Sequence, residues 1–281
     1  MRKDKVFSRR RFIGSIFKYG AAVLPVGRSQ FSFQSLSVCL RGEPFSFSWV
    51  MDLPKPDFER FELCRKELFT AVVGDVMDTL GYTHQFLPPQ VQPLRDDMIV
   101  VGRAMPVLEA DDYSANEGPG RAGGDLNQPF GLMLRALDDL QKDEVYICTG
   151  ASPKYALWGE LMSTAARNRG AAGAVVDGYS RDTRGILELS FPTFSYGRYA
   201  QDQRPRGKVI DFRCAIEIQG VRIQPGDIVF GDIDGVCIIP KTIEEEVLVK
   251  ALEKAQGEKQ VFEAIKGGMG AQAAWDKFGI M

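Results

Sequence analysis

The chain has 281 residues, 44% hydrophobic and 26% charged, enough apolar material for one good core or two small ones. Its formal charge of −2 hides an asymmetry: residues 1–28 hold eight of the 35 basic residues and one of the 37 acids, so the body that follows is about −9. An acidic body argues against a nucleic-acid partner, which needs a basic face to displace counterions, and leaves a basic protein partner open.

Ser8-Arg9-Arg10-Arg11-Phe12-Ile13-Gly14 resembles the twin-arginine export signature, and a mildly apolar run continues to Val26. Lys18 interrupts that run and no A-x-A cleavage site follows. Two readings stand: residues 1–28 are a signal segment of an exported, periplasmic protein, or they are a disordered basic tail of a cytoplasmic one. No run of about eighteen apolar residues occurs elsewhere, so no stable membrane span is expected. Residues 29–56 mix Ser, Phe, Gly and Pro without a period and read as a linker. The folded domain is expected over 57–281.

Phe58, Phe61, Cys64 and Leu68 recur at helical spacing, and a second helical stretch runs from Thr70 to a stop at Gly81. Asp75 and Asp78 on that stretch read as a solvated face rather than a catalytic pair. Residues 88–108 are extended, with Met98 to Ala104 as a buried strand. The polar, glycine-rich stretch 111–131 lacks G-x-x-x-x-G-K-[ST] and reads as a surface loop near a site mouth. A helix is expected over Leu132–Leu140, with Leu132, Leu134, Ala136, Leu137 and Leu140 available for burial. Glu144 to Cys148 is a strand.

The stretch Gly159–Asp182, GELMSTAARNRGAAGAVVDGYSRD, reads as a helix, a glycine turn, the strand Ala174-Val175-Val176 and a loop ending in Arg181-Asp182. With the preceding strand it forms a strand–helix–strand unit. That topology brings the helix start and the end of the second strand to one edge of the sheet. Glu160, Arg181 and Asp182 are therefore expected to converge, with the free N–H groups around Glu160, Leu161 and Met162 offering a site for a carboxylate or enolate oxygen.

Farther on, Phe191–Phe194 and Ala215–Ile218 read as strands, and 201–207 as a charged loop. Pro225-Gly226-Asp227 turns the chain into Ile228, and Asp232-x-Asp234-Gly235 reads as a hairpin turn rather than a calcium loop. Thr242-x-x-Glu245 reads as a capping box opening a long helix to about Lys266. Its apolar stripe holds Val247, Leu248, Ala251, Ala255 and Phe262. Glu258 falls on that stripe, either as a salt-bridged edge residue or because the helix packs on another subunit and delivers Glu258 to its site.

The inventory limits the chemistry. Five scattered cysteines contain no CxxC, and Cys148, Cys214 and Cys237 sit in apolar runs. His84 is the only histidine, so histidine triads and histidine-rich metal sites are excluded. Any metal must be held by oxygen, which points to magnesium or manganese. Asp182 can bind such a cation directly. Glu160 can hold one of its waters or act as a base, and Arg181 offers a fork for a carboxylate or enolate oxygen. That set suits cleavage of a carbon–carbon bond beside a 2-keto acid.

WGELMSTAARNRGAAGAVVDGYSRD is similar to the central motif of the RraA-like family, an acid followed after twenty residues by Arg-Asp. The likeness runs over roughly 60–281, through VGRA at 101–104, PGD at 225–227 and DIDGV at 232–236. The family includes class II 4-hydroxy-4-methyl-2-oxoglutarate aldolases and the regulator of ribonuclease E activity. The resemblance implies an α/β fold of the swivelling β/β/α type, with a central mixed sheet, flanking helices and a long C-terminal helix. It implies that Gly159, Glu160, Leu161 and Met162 form the substrate-binding helix start, that Arg181 binds substrate and that Asp182 binds magnesium. It also implies a homotrimer or hexamer with sites at subunit interfaces, which would explain Glu258. The aldolases of that pattern carry Asp where this chain has Glu160. The expected activity is a metal-dependent lyase releasing pyruvate from a small 2-keto acid, by retro-aldol cleavage or oxaloacetate decarboxylation. The alternative is a non-catalytic regulator that binds a protein such as a ribonuclease.

Overall fold

The sheet is assembled on one long strand. Residues Val100–Asp111 (β2) alternate so that Val101, Met105 and Val107 face one layer and Val100 and Ala104 the other. The computed structural model describes residues 53–113, 126 and 128–280, all within the compact unit Trp49–Met281. The signal-like segment, the linker as far as residue 52 and most of the glycine-rich stretch lie outside the described residues.

Before β2 come α1 (Asp57–Glu67), α2 (Thr70–Thr79) and the two-residue β1 (Gln92–Pro93). After it come α3 (Met133–Asp139), β3 (Glu144–Thr149), β4 (Ala156–Trp158), α4 (Glu160–Asn168) and β5 (Gly173–Val176). Then follow β6 (Tyr179–Ser180), α5 (Thr183–Leu189), β7 (Thr193–Ser195) and β8 (Gly207–Phe212). The chain closes with β9 (Ile216–Ile218), β10 (Val221–Ile223), β11 (Ile228–Asp232), β12 (Gly235–Ile239), α6 (Glu244–Lys266) and α7 (Ala271–Phe278).

The main sheet has the order β1-β7-β5-β3-β2-β11-β12, with β8 beside the far half of β2. Strands β2, β3, β5 and β7 are parallel, whereas β11 and β8 each pair antiparallel with β2, and β12 pairs antiparallel with β11. Helices α1, α2 and α6 cover the antiparallel half and α3, α4 and α5 the parallel half of the same face, while the β9–β10 hairpin closes the opposite face. This is the mixed sheet with flanking helices expected from the sequence.

Several local expectations need correction. The buried strand extends seven residues past Ala104 to Asp111, and Ile99 before it is exposed. The Thr242-x-x-Glu245 box does not form: the cap position of α6 is Ile243, without a side-chain cap. Phe262 is 62% exposed, and Leu252 and Val261 are buried on α6 instead. Phe58 lies half-exposed under the Lys142 ammonium, and Leu134 faces solvent. A further helix, α7, packs on α6. The Asp232–Gly235 hairpin is as expected, with an added function for Asp232: its carboxylate accepts from the Thr70 N–H (2.8 Å) and hydroxyl (2.7 Å), capping α2 from a distance.

The motif residues Arg103 and Gly226 belong to a clasp. The Arg103 guanidinium donates to Asp57 (2.8 and 2.7 Å), to the Gly226 carbonyl (3.0 Å) and to Glu244 at the start of α6. Arg60 donates to the same Glu244 at 2.7 Å. Hydrogen bonding to Arg103 holds the Asp57 carboxyl below its usual range. Strand β2 is thereby tied to both ends of the chain's helical layer.

Arg103→Ala would strip a largely buried Glu244 of one of two cationic partners. The expected loss is about 3 kcal/mol in urea denaturation, the lower end for breaking a buried pair, because Arg60 remains. A loss below about 1 kcal/mol, the range of exposed pairs, would show the clasp to be peripheral.

Candidate functional site

The site is built by two short strands that the sequence alone does not reveal. Strands β4 and β6 pair in parallel, Ala156 opposite Tyr179 and Trp158 opposite Ser180. The Arg181 N–H donates to the Trp158 carbonyl at 2.8 Å. The β4–α4 turn and the β6–α5 turn therefore lie side by side: Gly159 meets Arg181 and Asp182, and Glu160 reaches toward Gly185 on α5.

Trp158 anchors this corner from below. It is buried, with its ring 4.9 Å from Tyr146 and 6.2 Å from Phe191 between centroids. Its indole N–H donates to the Ser163 hydroxyl (2.7 Å), which in turn donates to the Gly159 carbonyl (3.0 Å). The first helical bond of α4 runs from the Ser163 N–H to the Gly159 carbonyl (3.0 Å), so the N–H groups of Glu160, Leu161 and Met162 precede the ladder. Leu161 is 84% exposed, whereas Met162 packs partly into the core.

Asp182 sits in the left-handed region, φ 53° and ψ 34°, which an aspartate tolerates better than most residues. Its carbonyl accepts from the Gly185 (3.0 Å) and Ile186 (3.3 Å) N–H groups, starting α5 and turning its carboxylate back toward α4. The Arg181 Nε donates to Asp182 Oδ2 at 3.2 Å. Gly159 gives this approach room: a Cβ there would stand 3.0 Å from Asp182 Oδ2, so that the carboxylate would have to give way slightly, and 3.5 Å from the Arg181 side chain. Glu160 reaches across to α5, where its carboxyl occupies the space that a Cβ on Gly185 would fill.

Three residues enter that the sequence did not nominate. Asp202 pairs with Arg181 Nη1 at 2.8 Å. Next to it, Gln203 is buried and donates to Glu109, itself only 2% exposed. Burial pushes the Glu109 carboxyl up to about 8, and its Oε1 has no partner among the described residues. No spacing rule singles out Asp202, because its relation to Arg181 exists only once 201–207 lies along β4. Glu109 carried a faint signal as an acid inside an apolar strand.

Glu258 is not brought to these groups within one chain. It lies on α6 and accepts from Lys254 (2.7 Å), which also binds Asp75 (2.6 Å). Asp75 thus has the solvated position expected of it, with the Lys254 ion pair added.

The donors at the corner are all oxygens. Among the described residues no three His, Cys, Asp or Glu side chains converge as a cation cage. A cation here would have Asp182 and little else from the protein, an arrangement that suits magnesium, which keeps several of its waters.

Fold and corner together define an α/β domain that presents a helix start, an Arg-Asp pair and an acid at one sheet edge. A family model described as RraA-like, Aldolase/RraA, matches residues 70–238, and the chain belongs to that family. A relative from Halalkalibacterium halodurans named "Putative 4-hydroxy-4-methyl-2-oxoglutarate aldolase" is 31% identical over 207 residues, 73% of this chain and 89% of that protein. Protein DlpA of Legionella pneumophila is 27% identical over 74% of this chain, but the match spans only 32% of its own length. The crystal structure of Streptomyces coelicolor RraAS2, described as an unusual member of the RNase ES inhibitor RraA family, shares the fold. Its TM-score is 0.61 at 19% identity, covering 74% of this chain and 97% of that one.

Two variants test the corner. Gly185→Ala should keep or raise the thermal midpoint, since alanine favours a helix over glycine by up to about 1 kcal/mol. Its new methyl should displace Glu160, visible in a crystal structure of the variant; an unmoved Glu160 would show that the two do not meet. Glu109→Gln tests the buried acid. Because the folded chain holds the Glu109 proton until about pH 8 while the unfolded chain releases it near 4.5, stability from this group is full at low pH and falls as pH rises between those values. Urea midpoints at pH 5 and 8.5 should differ less in the variant than in the wild type. The same pH dependence in both would refute the assignment.

Proposed function

We propose that the protein is a divalent-metal-dependent lyase that releases pyruvate from a small 2-keto acid, by retro-aldol cleavage of a 4-hydroxy-4-methyl-2-oxoglutarate-type substrate and by decarboxylation of oxaloacetate. The observation that carries the reading is the convergence of Arg181 and Asp182 on the start of α4, with Gly159 leaving room for the Asp182 carboxylate. The aldolase names of relatives support it.

Asp182 would hold a magnesium or manganese ion, whose Lewis acidity would favour enolate formation. The open N–H groups of Glu160, Leu161 and Met162 bind the C1 carboxylate. Arg181 presents its fixed positive charge to the keto oxygen, where negative charge grows as the bond to C3 breaks and pyruvate enolate forms. In the retro-aldol reaction Glu160, directly or through one water, takes the proton of the C4 hydroxyl, and the enolate is then protonated at C3. In decarboxylation carbon dioxide leaves instead, and the same enolate follows. Glu160 reaches one methylene further than aspartate, which suits contact through a water. A role for Glu258 in this chemistry requires a neighbouring copy, as a homotrimer or hexamer would supply, because within one chain it is held by Lys254.

Purified protein should release pyruvate from 4-hydroxy-4-methyl-2-oxoglutarate and oxaloacetate with magnesium, and lose that activity in EDTA. Asp182→Ala should lower turnover by about 100-fold or more while leaving the folded protein and its assembly intact. Absence of pyruvate release with magnesium would reject the lyase and favour a protein-binding regulator. Wild-type turnover in Asp182→Ala would place the chemistry elsewhere.

A further inference from the structure

The ion pair between Arg181 and Asp202 is half-exposed, with side chains 34% and 45% accessible. Such pairs contribute little when two long side chains must be ordered to make them. Here the ordering is done by the backbone. The carbonyl of Gln201 accepts from the Ala156 N–H of β4 at 2.8 Å. On the other side Gln203 is buried, donates from its amide to Glu109, and accepts from the Gly207 N–H at 2.9 Å through its carbonyl. Asp202 is thus fixed between two pinned neighbours.

Arg181 is likewise tethered by its own N–H to Trp158 and by Nε to Asp182. A guanidinium has five N–H donors in one plane. Asp182 and Asp202 engage Nε and Nη1, and Nη2 has no partner among the described residues. Two carboxylates on different loops define the plane of the group and leave one end of it open.

We propose that Asp202 is a positioning residue for Arg181, holding its guanidinium so that the open end meets the oxygen on which charge develops. The catalytic consequence rests on the function proposed above; the positioning itself does not. Without Asp202 the arginine keeps a single carboxylate partner, Asp182, and its side chain regains rotamers. The site also gains one unit of positive charge, which favours an anionic substrate. Loss of positioning therefore predicts a split: turnover falls while KM does not rise.

The test uses the full-length protein with magnesium and oxaloacetate, comparing wild type, Asp202→Ala and Asp202→Asn. Asp202→Ala should lower kcat by about 10- to 100-fold, the scale of a misplaced catalytic group, with KM equal or lower and an unchanged thermal midpoint. Asp202→Asn should recover part of the loss, because its amide oxygen can still face Nη1 at the 2.8 Å position of the ion pair while the charge is gone. In parallel, phenylglyoxal modification of Arg181, followed by peptide mass spectrometry without substrate, should run several-fold faster in Asp202→Ala. A kcat within twofold of wild type, or equal losses in both variants with raised KM and a lowered midpoint, overturns the proposal. If wild type releases no pyruvate, the lyase reading fails and the modification rates decide: equal rates for wild type and Asp202→Ala overturn positioning, and a faster rate in the variant supports it.

Discussion

Everything at the candidate site depends on a pairing of five residues. Strands β4 and β6 are too short to be stable alone, and they lie beyond the ends of β3 and β5, which are buried in the main sheet apart from Glu144. The N–H of Arg181 bonded to the carbonyl of Trp158 carries that pairing one step further, to the first residue after β6. It sets the start of α4 against the start of α5. Trp158, buried between Tyr146 and Phe191 and tied through Ser163 to Gly159, prevents this corner from sliding. The polar residues above it are thereby presented by packed apolar ones below, the arrangement in which a rigid scaffold carries an exposed site.

The motifs outside the corner act on the scaffold. Arg103 clasps Asp57 and Glu244, Asp232 caps α2, and the Asp227 carboxylate accepts from the Gln224 (2.8 Å) and Lys241 (2.9 Å) N–H groups, closing the turns around β11 and β12. Each is an acid or arginine whose partners are backbone groups or charges from distant segments. Family likeness in VGRA, PGD and DIDGV is therefore likeness of assembly, whereas the proposed chemistry is assigned to Gly159–Asp182.

This division decides what could be read from the chain. Runs with a strong period, such as β2, β3, α2 and α6, were legible because burial on one face imposes the period. The strand–helix–strand order was enough to place Glu160 near Arg181 and Asp182, since parallel topology alone fixes which edge they share. Strands β4 and β6 were not legible: three and two residues are shorter than any period, and they exist because β3 and β5 hold them parallel. The capping box at Thr242 failed for a related reason. Charges at the start of α6 are claimed by Arg60 and Arg103, which are remote in sequence, and this tertiary demand overrides the local motif. Asp202 was invisible on the same ground.

Charge gives the corner its remaining logic. Asp182 and Asp202 pair with Arg181 and Glu160 lies against the adjoining α5 start, so the acids of this corner exceed its arginine by two charges. A 2-keto acid is itself an anion, and at a few ångströms an unscreened pair of like charges opposes binding by about 1 kcal/mol in water and more at a partly buried surface. One arginine and the dipole of a nine-residue helix offset only part of this excess. Under the proposed function a divalent cation at Asp182 would balance it, and substrate and cation would then bind together. The same balance explains why a positioning carboxylate at Asp202 is compatible with an anion site: its charge is spent on Arg181, and what it contributes is orientation.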